Sequence, residues 1–400
     1  MLKKILSFAF LLFYASYASN FCFADKESEA TIILPGIFSS GLFYRGESDS
    51  DRYSVNEAIW LPVNDQNFWR QSKGILKFRL FYEDLFLNRH GKLKDDNIGL
   101  SLENKGFPHQ VDAEIVKYGV GNSYKELIKS LEKKFPSHKI IFFNYDWRTP
   151  DGILERLKKI TKQYEKINIV AFSFGGLIGA KFIAEYLRNG KNNVIGKVVF
   201  IAVPQLGSAV TFHVLEKGFP RNGPDFSGMG KVISLLSRCC PTTICLLPNE
   251  KYFELSQGYV INDYGKKLNY KETMDLIKHR FKIRFMDKYK SFHDDLIIDG
   301  KNVLNFYDYY LIAGSGIKTP SEITISSNEL DGMKITGFAN GDGTVMCGSA
   351  IPFEAERDRV TKISKVEHNR LPYNKKVIEK IISIIGSKIE KKHEELDPAA

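Results

Sequence analysis

The segment that most restricts the fold is Ala171-Phe172-Ser173-Phe174-Gly175-Gly176. It follows the apolar run Ile167 to Val170 and leads into a helical pattern at Leu177, Ile178, Phe182, Ile183 and Leu187. A chain that reverses from strand to helix in so few residues needs small side chains two positions before and after the turn, and Ala171 and Gly175 supply them. Gly176 lets the helix lie close to the strand. Ser-x-Gly alone discriminates nothing, because Ser39, Ser72 and Ser256 share it. Only Ser173 also has a small residue two before it, an apolar strand behind it and an amphipathic helix ahead.

The same alternation runs through the chain. Thr31 to Leu34, Lys139 to Phe143, Ile167 to Phe172, Lys197 to Val203 and Tyr309 to Ala313 are short apolar runs, continuous enough to be strands buried on both faces. Ile153, Leu154, Leu157, Ile160 and Tyr164 mark one helix, and Tyr124, Leu127, Ile128 and Leu131 another. Val377, Ile378, Ile381, Ile382, Ile385 and Ile389 mark a closing helix. Strand and helix in alternation predict an α/β fold with a mostly parallel sheet and helices on both faces. Two stretches break the pattern and are expected to be insertions. Residues 41–119 carry Trp60, Leu61, Phe68, Trp69, Phe78, Phe81, Tyr82, Leu85 and Phe86, either as a lid that meets lipid or as an aromatic layer on the sheet. Residues 208–301 form a cap.

At 43% hydrophobic and 26% charged, a chain of 400 residues is not a disordered one. The net charge of +10 is compatible with an anionic partner, but the basic residues form no stripe or known module, so nucleic acid is not expected. Residues 1–24 have a basic start, an apolar run too short to span a bilayer, and a small residue at Ala24 before Asp25-Lys26-Glu27. They are expected to be a signal peptide cleaved near Ala24, so that residues 25–400 form the mature domain in an exported setting, periplasmic or secreted. Cys239, Cys240, Cys245 and Cys347 then remain. In an oxidising compartment either Cys239 or Cys240 is expected to bridge to Cys245, with no metal site, since no His lies close to the cluster.

A serine at such a turn acts as a nucleophile only with a base, an orienting acid and donors for the oxyanion. Of His213, His279, His293, His368 and His393, the first three fall in the cap and the last in a charged tail. His368 follows the strand-like Val360 to Val366 and precedes the closing helix, which makes it the base candidate. Asp342, in Asn340-Gly341-Asp342-Gly343-Thr344-Val345, is the acid candidate on chain order, with Asp308 and Asp331 as weaker competitors. The amides of Phe174 and of Ile37, after Leu34-Pro35-Gly36, are the oxyanion donors.

Taken together, these residues resemble the lecithin:cholesterol acyltransferase and lysosomal phospholipase A2 group of α/β-hydrolases, with its bacterial esterase relatives. The most specific match is Tyr145-Asp146-Trp147-Arg148; around it lie Leu34-Pro35-Gly36, the turn at Ser173, Pro204-Gln205-Leu206-Gly207-Ser208, Gly341 to Val345, and Glu367-His368 with Leu371-Pro372. The resemblance implies Ser173 as nucleophile, Asp342 as acid, His368 as base, and Ile37 and Phe174 as oxyanion donors. Asp146 and Arg148, flanking Trp147, are expected to form an ion pair that fixes a loop beside the site. Two positions depart from the family: Ala171-Phe172 stands where Gly-His is usual, and Asn144 where Pro is usual. The expected activity is acyl transfer from a phospholipid ester to water or an alcohol through an acyl-enzyme. It needs no cofactor and implies peripheral contact with a lipid surface. A general carboxylesterase or triacylglycerol lipase is the alternative, and a non-catalytic lipid-binding protein of the same fold is a further one.

Overall fold

Six parallel strands carry the molecule: β1 Glu27–Leu34, β2 Lys139–Phe142, β3 Tyr164–Phe172, β4 Ile195–Ile201, β5 Asp308–Ser315 and β6 Val360–Ser364, in the order β2-β1-β3-β4-β5-β6. The computed structural model describes residues 27–388 apart from 45, 55–57, 61–81, 89, 95–96, 100–123, 191, 221–228, 291, 299–300, 327–331 and 353–354. The expected signal peptide and its cleavage point lie outside the described residues. So do Leu61, Phe68, Trp69, Phe78, Phe81, Asp331, Ile389 and His393.

The apolar runs become central strands because both of their faces are covered. Along β3, Ile167, Ile169 and Ala171 face one core, while Val170 and Phe172 face the other. Helices α2 (Ile153–Thr161) and α3 (Phe174–Arg188) pack on the first face; α1 (Lys125–Lys134) and α4 (Lys375–Gly386) close the second. The buried Lys197 of β4 donates to the Ile384 and Ser387 carbonyls and, at 2.6 Å, to Ser387 Oγ. A cation at the carbonyl end of α4 suits the helix dipole and locks the last helix to the sheet.

Chain direction switches at β1. The crossover through α1 places β2 on one side of β1, and the next crossover, through α2, places β3 on the other. In such sheets the crevice opens beyond the carboxyl ends of the two strands at the switch, here Leu34 and Phe172. A Cβ on Gly175 would lie 2.3 Å from the Pro35 carbonyl oxygen and 2.4 Å from that of Leu34, so only glycine lets α3 start this close to β1.

Several expectations need correcting. Tyr164 opens β3 instead of extending α2, which ends at Thr161. An antiparallel pair, Ile317–Ile325 with Met333–Gly341, was not anticipated at all; its strands alternate polar and apolar residues around Pro320, Gly337 and Gly341. The cysteine bridge is absent among the described residues, where Cys239, Cys240, Cys245 and Cys347 are thiols. Cys240 precedes the one-turn helix Pro241–Ile244 and Cys245 follows it. Cys240 itself is extended, so the two thiols leave opposite ends of that turn, and both are buried in the core. Among the described residues no group of His, Cys, Asp or Glu is arranged to hold a metal ion, and no helix is long and apolar enough to cross a membrane.

The Gly175 contact gives a direct test. Gly175→Ala should cost about 1–3 kcal/mol or more through overpacking and lower Tm by several degrees. Gly348→Ala, where nothing lies within 4 Å of a new Cβ, should leave Tm unchanged. Equal melting of the two variants by calorimetry would contradict the packing argument.

Candidate active site

Ser173 sits between β3 and α3 with φ 52° and ψ −126°, a conformation that costs a non-glycine residue on the order of 1–3 kcal/mol. Its amide donates to Ile201 of β4 at 3.0 Å and its carbonyl accepts from Gly176 at 2.9 Å, so neighbours on both sides hold the turn. The result aims Oγ away from the strand, over the sheet's carboxyl edge.

His368 lies in the turn after β6. Its Nε2 is 3.0 Å from Ser173 Oγ and its Nδ1 is 2.8 Å from Asp342 Oδ2. The Asp342 side chain is held for that contact: Oδ1 accepts the Thr344 amide at 2.9 Å and the Val345 amide at 2.7 Å, which leaves Oδ2 toward the imidazole. The Asp342 carbonyl accepts the His368 amide at 2.9 Å, so backbone and side chain fix the same pair. Gly343 takes φ 91°, which favours glycine at this turn. Asp342 is 1% exposed.

The loop after β1 is clamped from several directions. Tyr124, ahead of α1, accepts the Gly36 amide at 3.2 Å. Tyr145 donates its hydroxyl to the Pro35 carbonyl at 2.6 Å and its amide to Ser40 Oγ at 3.2 Å. The indoles of Trp147 and Trp60 donate to the carbonyls of Ser40 and Phe38, each at 3.1 Å. Phe38 adopts φ 63°, and its ring packs against Trp147, Trp60 and Phe219 with centroids 4.5, 5.3 and 5.8 Å away. Burial raises the Tyr124 and Tyr145 phenols far above their ordinary value, so both remain neutral. Ile37 lies inside this clamped loop. Phe174 opens α3, where first-turn amides have no intrahelical acceptor and the dipole favours negative charge.

Asp146 and Arg148 form a fork, with Nε to Oδ1 at 2.9 Å and Nη2 to Oδ2 at 2.7 Å. Arg148 is 1% exposed and Asp146 side-chain exposure is 21%, so the pair is half-buried. Arg148 Nη2 also donates to the Ile98 carbonyl at 2.7 Å, and Thr242 donates to the Trp147 carbonyl at 2.6 Å. Tyr145 to Arg148 therefore touches the loop after β1, the segment 41–119 and the segment 208–301 at once.

The remaining candidates lie apart from Ser173. Asp308 is bound to the buried Arg359. His213 contacts the Gly218 carbonyl at 2.8 Å and His279 that of Asp275 at 2.7 Å. His293 is enclosed between the carbonyls of Gln205, 3.1 Å from Nδ1, and Cys245, 2.8 Å from Nε2. In the aromatic run, Trp60 is fully buried and residues 82–85 form a single 3-10 turn, so these two pieces pack inward. Sequence reasoning missed Tyr124 and Ser40 as holders of the loop, since neither role leaves a local pattern.

The parallel order and the turn at Ser173 define an α/β-hydrolase fold. The model of the lecithin:cholesterol acyltransferase family matches residues 59–321, more than half the chain, and the chain belongs to that family. That match contains Ser173 and Tyr145 to Arg148 but not Leu34 to Ile37, Asp342 or His368, whose placement comes from the geometry alone. The crystal structure of a Tle4–Tli4 complex has the same fold, with TM-score 0.57 at 11% identity over 89% of this chain and 98% of that one. A bromoperoxidase from Bacillus anthracis aligns over 67% of this chain and 88% of its own, at 15% identity and TM-score 0.32. No curated protein sequence matches the chain.

His293 makes the stability of the protein depend on pH. Two carbonyl neighbours favour its protonated form, but burial dominates and lowers its pKa from 6.5 to about 4. Between those values the unfolded chain binds a proton that the folded one excludes, so stability is lost as pH drops through that window and is insensitive to this group above it. From pH 7 to pH 5 the loss should be about 2 kcal/mol. His293→Gln should flatten that slope in urea unfolding curves; an unchanged slope would remove His293 as its source.

Proposed function

We propose that the protein is a serine-dependent lipid acyl hydrolase or acyltransferase acting on phospholipid acyl esters, with Ser173 as nucleophile, His368 as base and Asp342 as orienting acid. The observation that carries this reading is the continuous line from Asp342 Oδ2 through both imidazole nitrogens to Ser173 Oγ at 2.8 and 3.0 Å. His368 takes the Ser173 proton as Oγ attacks the ester carbonyl, and Asp342 stabilises the imidazolium that forms. The Ile37 and Phe174 amides receive the oxyanion. His368 then returns the proton to the departing alcohol, leaving an acyl-serine. Water or an acceptor alcohol, deprotonated by His368, releases the acyl group.

Membership of the lecithin:cholesterol acyltransferase family supports a lipid substrate. So does the aromatic wall of Phe38 and Phe219 beside the clamped loop, where Phe219 is 37% exposed and open to an acyl chain. The chain would work after export, in peripheral contact with a lipid surface.

Purified protein should form a fluorophosphonate adduct at Ser173 and release fatty acid from mixed phospholipid vesicles. Ser173→Ala should abolish both, and Asp342→Asn should lower kcat by about 10³–10⁴-fold with the fold intact. Hydrolysis of soluble short-chain esters with none on vesicles would replace the phospholipid reading with a general carboxylesterase. Absence of the adduct in wild type would end the enzyme reading. Adding a sterol or alcohol acceptor to the vesicles separates transfer from hydrolysis by product analysis.

A further inference from the structure

Phe172, the residue before Ser173, occupies the position where the family usually carries His, and its ring is 7% exposed. Its centroid lies 4.8 Å from that of the His368 imidazole, with 36° between planes. The ring also abuts the loop after β1, since a Cβ on Gly36 would meet Phe172 Cδ1 at 3.0 Å. On its other side stands Tyr124, 6.4 Å between centroids, whose hydroxyl accepts the Gly36 amide. One apolar ring thus touches the base, the loop that carries the Ile37 amide and the tyrosine that holds that loop.

We infer that Phe172 is a positioning residue for His368: its π face stabilises the imidazolium formed during acyl transfer and fixes the ring between Asp342 and Ser173. The inference rests on the assignment of His368 as base. An aromatic face within about 6 Å attracts a cation, and more strongly when water is excluded. During the reaction His368 becomes a cation when it takes the Ser173 proton, so this attraction favours the tetrahedral state over the resting one. A second histidine at position 172 would offer no such purely apolar face and would add a titrating group beside the base.

The other charged and titratable groups around His368 do not duplicate this. Asp342 meets Nδ1, in the imidazole plane. Cys347, following Asp342, donates its thiol to the Gly314 carbonyl at 3.0 Å, and burial raises its pKa. Glu367 and Arg370, beside His368 in sequence, pair with each other at 3.1 Å on the exposed side. Tyr124 is held neutral by burial. Lys362 and Lys365 belong to β6 and the turn leading to His368, and Lys365 is exposed.

The test is a pH profile in the whole protein with three variants. In Phe172→Leu and the unbranched Phe172→Met, kcat on a short-chain p-nitrophenyl ester should fall about tenfold with KM little changed. Losing the π face removes a contact that favours the imidazolium, so the acid limb of Ser173 labelling by fluorophosphonate should move to lower pH by about half a unit to one unit. NMR titration of the His368 ring should move equally, and Phe172→Tyr should restore both limb and rate. An acid limb and an NMR titration that stay in place in the Leu and Met variants, or a rate that Tyr fails to rescue, would reduce Phe172 to packing and overturn the inference. If wild-type Ser173 takes no label, the catalytic reading fails instead, and the NMR shift alone still decides the effect of Phe172 on His368.

Discussion

Everything at the candidate site depends on how closely α3 approaches the end of β1. With no side chain at Gly175, the first turn of the helix sits against the carbonyls of Leu34 and Pro35, and two chain segments about 140 residues apart meet. The positive φ of Ser173 follows from that approach, because the chain must leave β3 and enter the helix without crossing β1. The same approach sets Gly36 beside Ser173, where a Cβ on Gly36 would be 3.3 Å from the serine Cβ. Ser173 and the loop are therefore positioned by one contact of backbone on backbone. Such a contact is stiff, which is what a site built on small distances requires.

Around this contact the molecule uses polar groups sparingly and in fixed directions. The loop from Pro35 to Ser40 has its carbonyls and amides taken by Tyr124, Tyr145, Trp147 and Trp60, aromatic residues whose bodies fill the core while their single polar atoms reach the backbone. A buried backbone group without a partner would cost about 1–3 kcal/mol, so each donor stabilises one loop geometry against alternatives. The Asp146–Arg148 fork works differently. Removing a guanidinium from water costs more than a surface pair returns, and Arg148 is compensated by two contacts on Asp146 and one on the Ile98 carbonyl. Its return is specificity of arrangement, since one side chain ties the segment 41–119 to the end of β2.

The central strands were legible in the sequence because burial on both faces leaves continuous apolar runs such as Ile167 to Val170, and the turn at Ser173 was legible because sterics restrict its composition. The antiparallel pair before Asp342 was not. Its outer strand is half solvated, and Lys334, Thr336, Phe338 and Asn340 are exposed, so the segment carries no apolar run to announce it. The absent cysteine bridge was illegible for another reason: spacing in sequence does not show that the two thiols leave opposite ends of a one-turn helix. Residues that only hold others, such as Tyr124 and Ser40, leave no spacing pattern, because their partners lie 88 and 105 positions away.

The placement of Asp342 shows why such sites tolerate change in the chain between their parts. Asp342 is separated from β5 by a long hairpin, yet its carboxylate direction is set within four residues, by the Thr344 and Val345 amides and the φ of Gly343. Gly314, at the end of β5, then fixes the distance to the sheet, because a Cβ there would sit 2.4 Å from that of Asp342. Beyond Thr319, whose hydroxyl accepts the Gly343 amide at 2.9 Å, the hairpin can change in length without altering either constraint. Ser173 has no such freedom, since β3, α3 and the turn between them are one continuous unit. The site thus joins Ser173, fixed by the core, to Asp342 and His368, held by short turns at the carboxyl edge of the sheet.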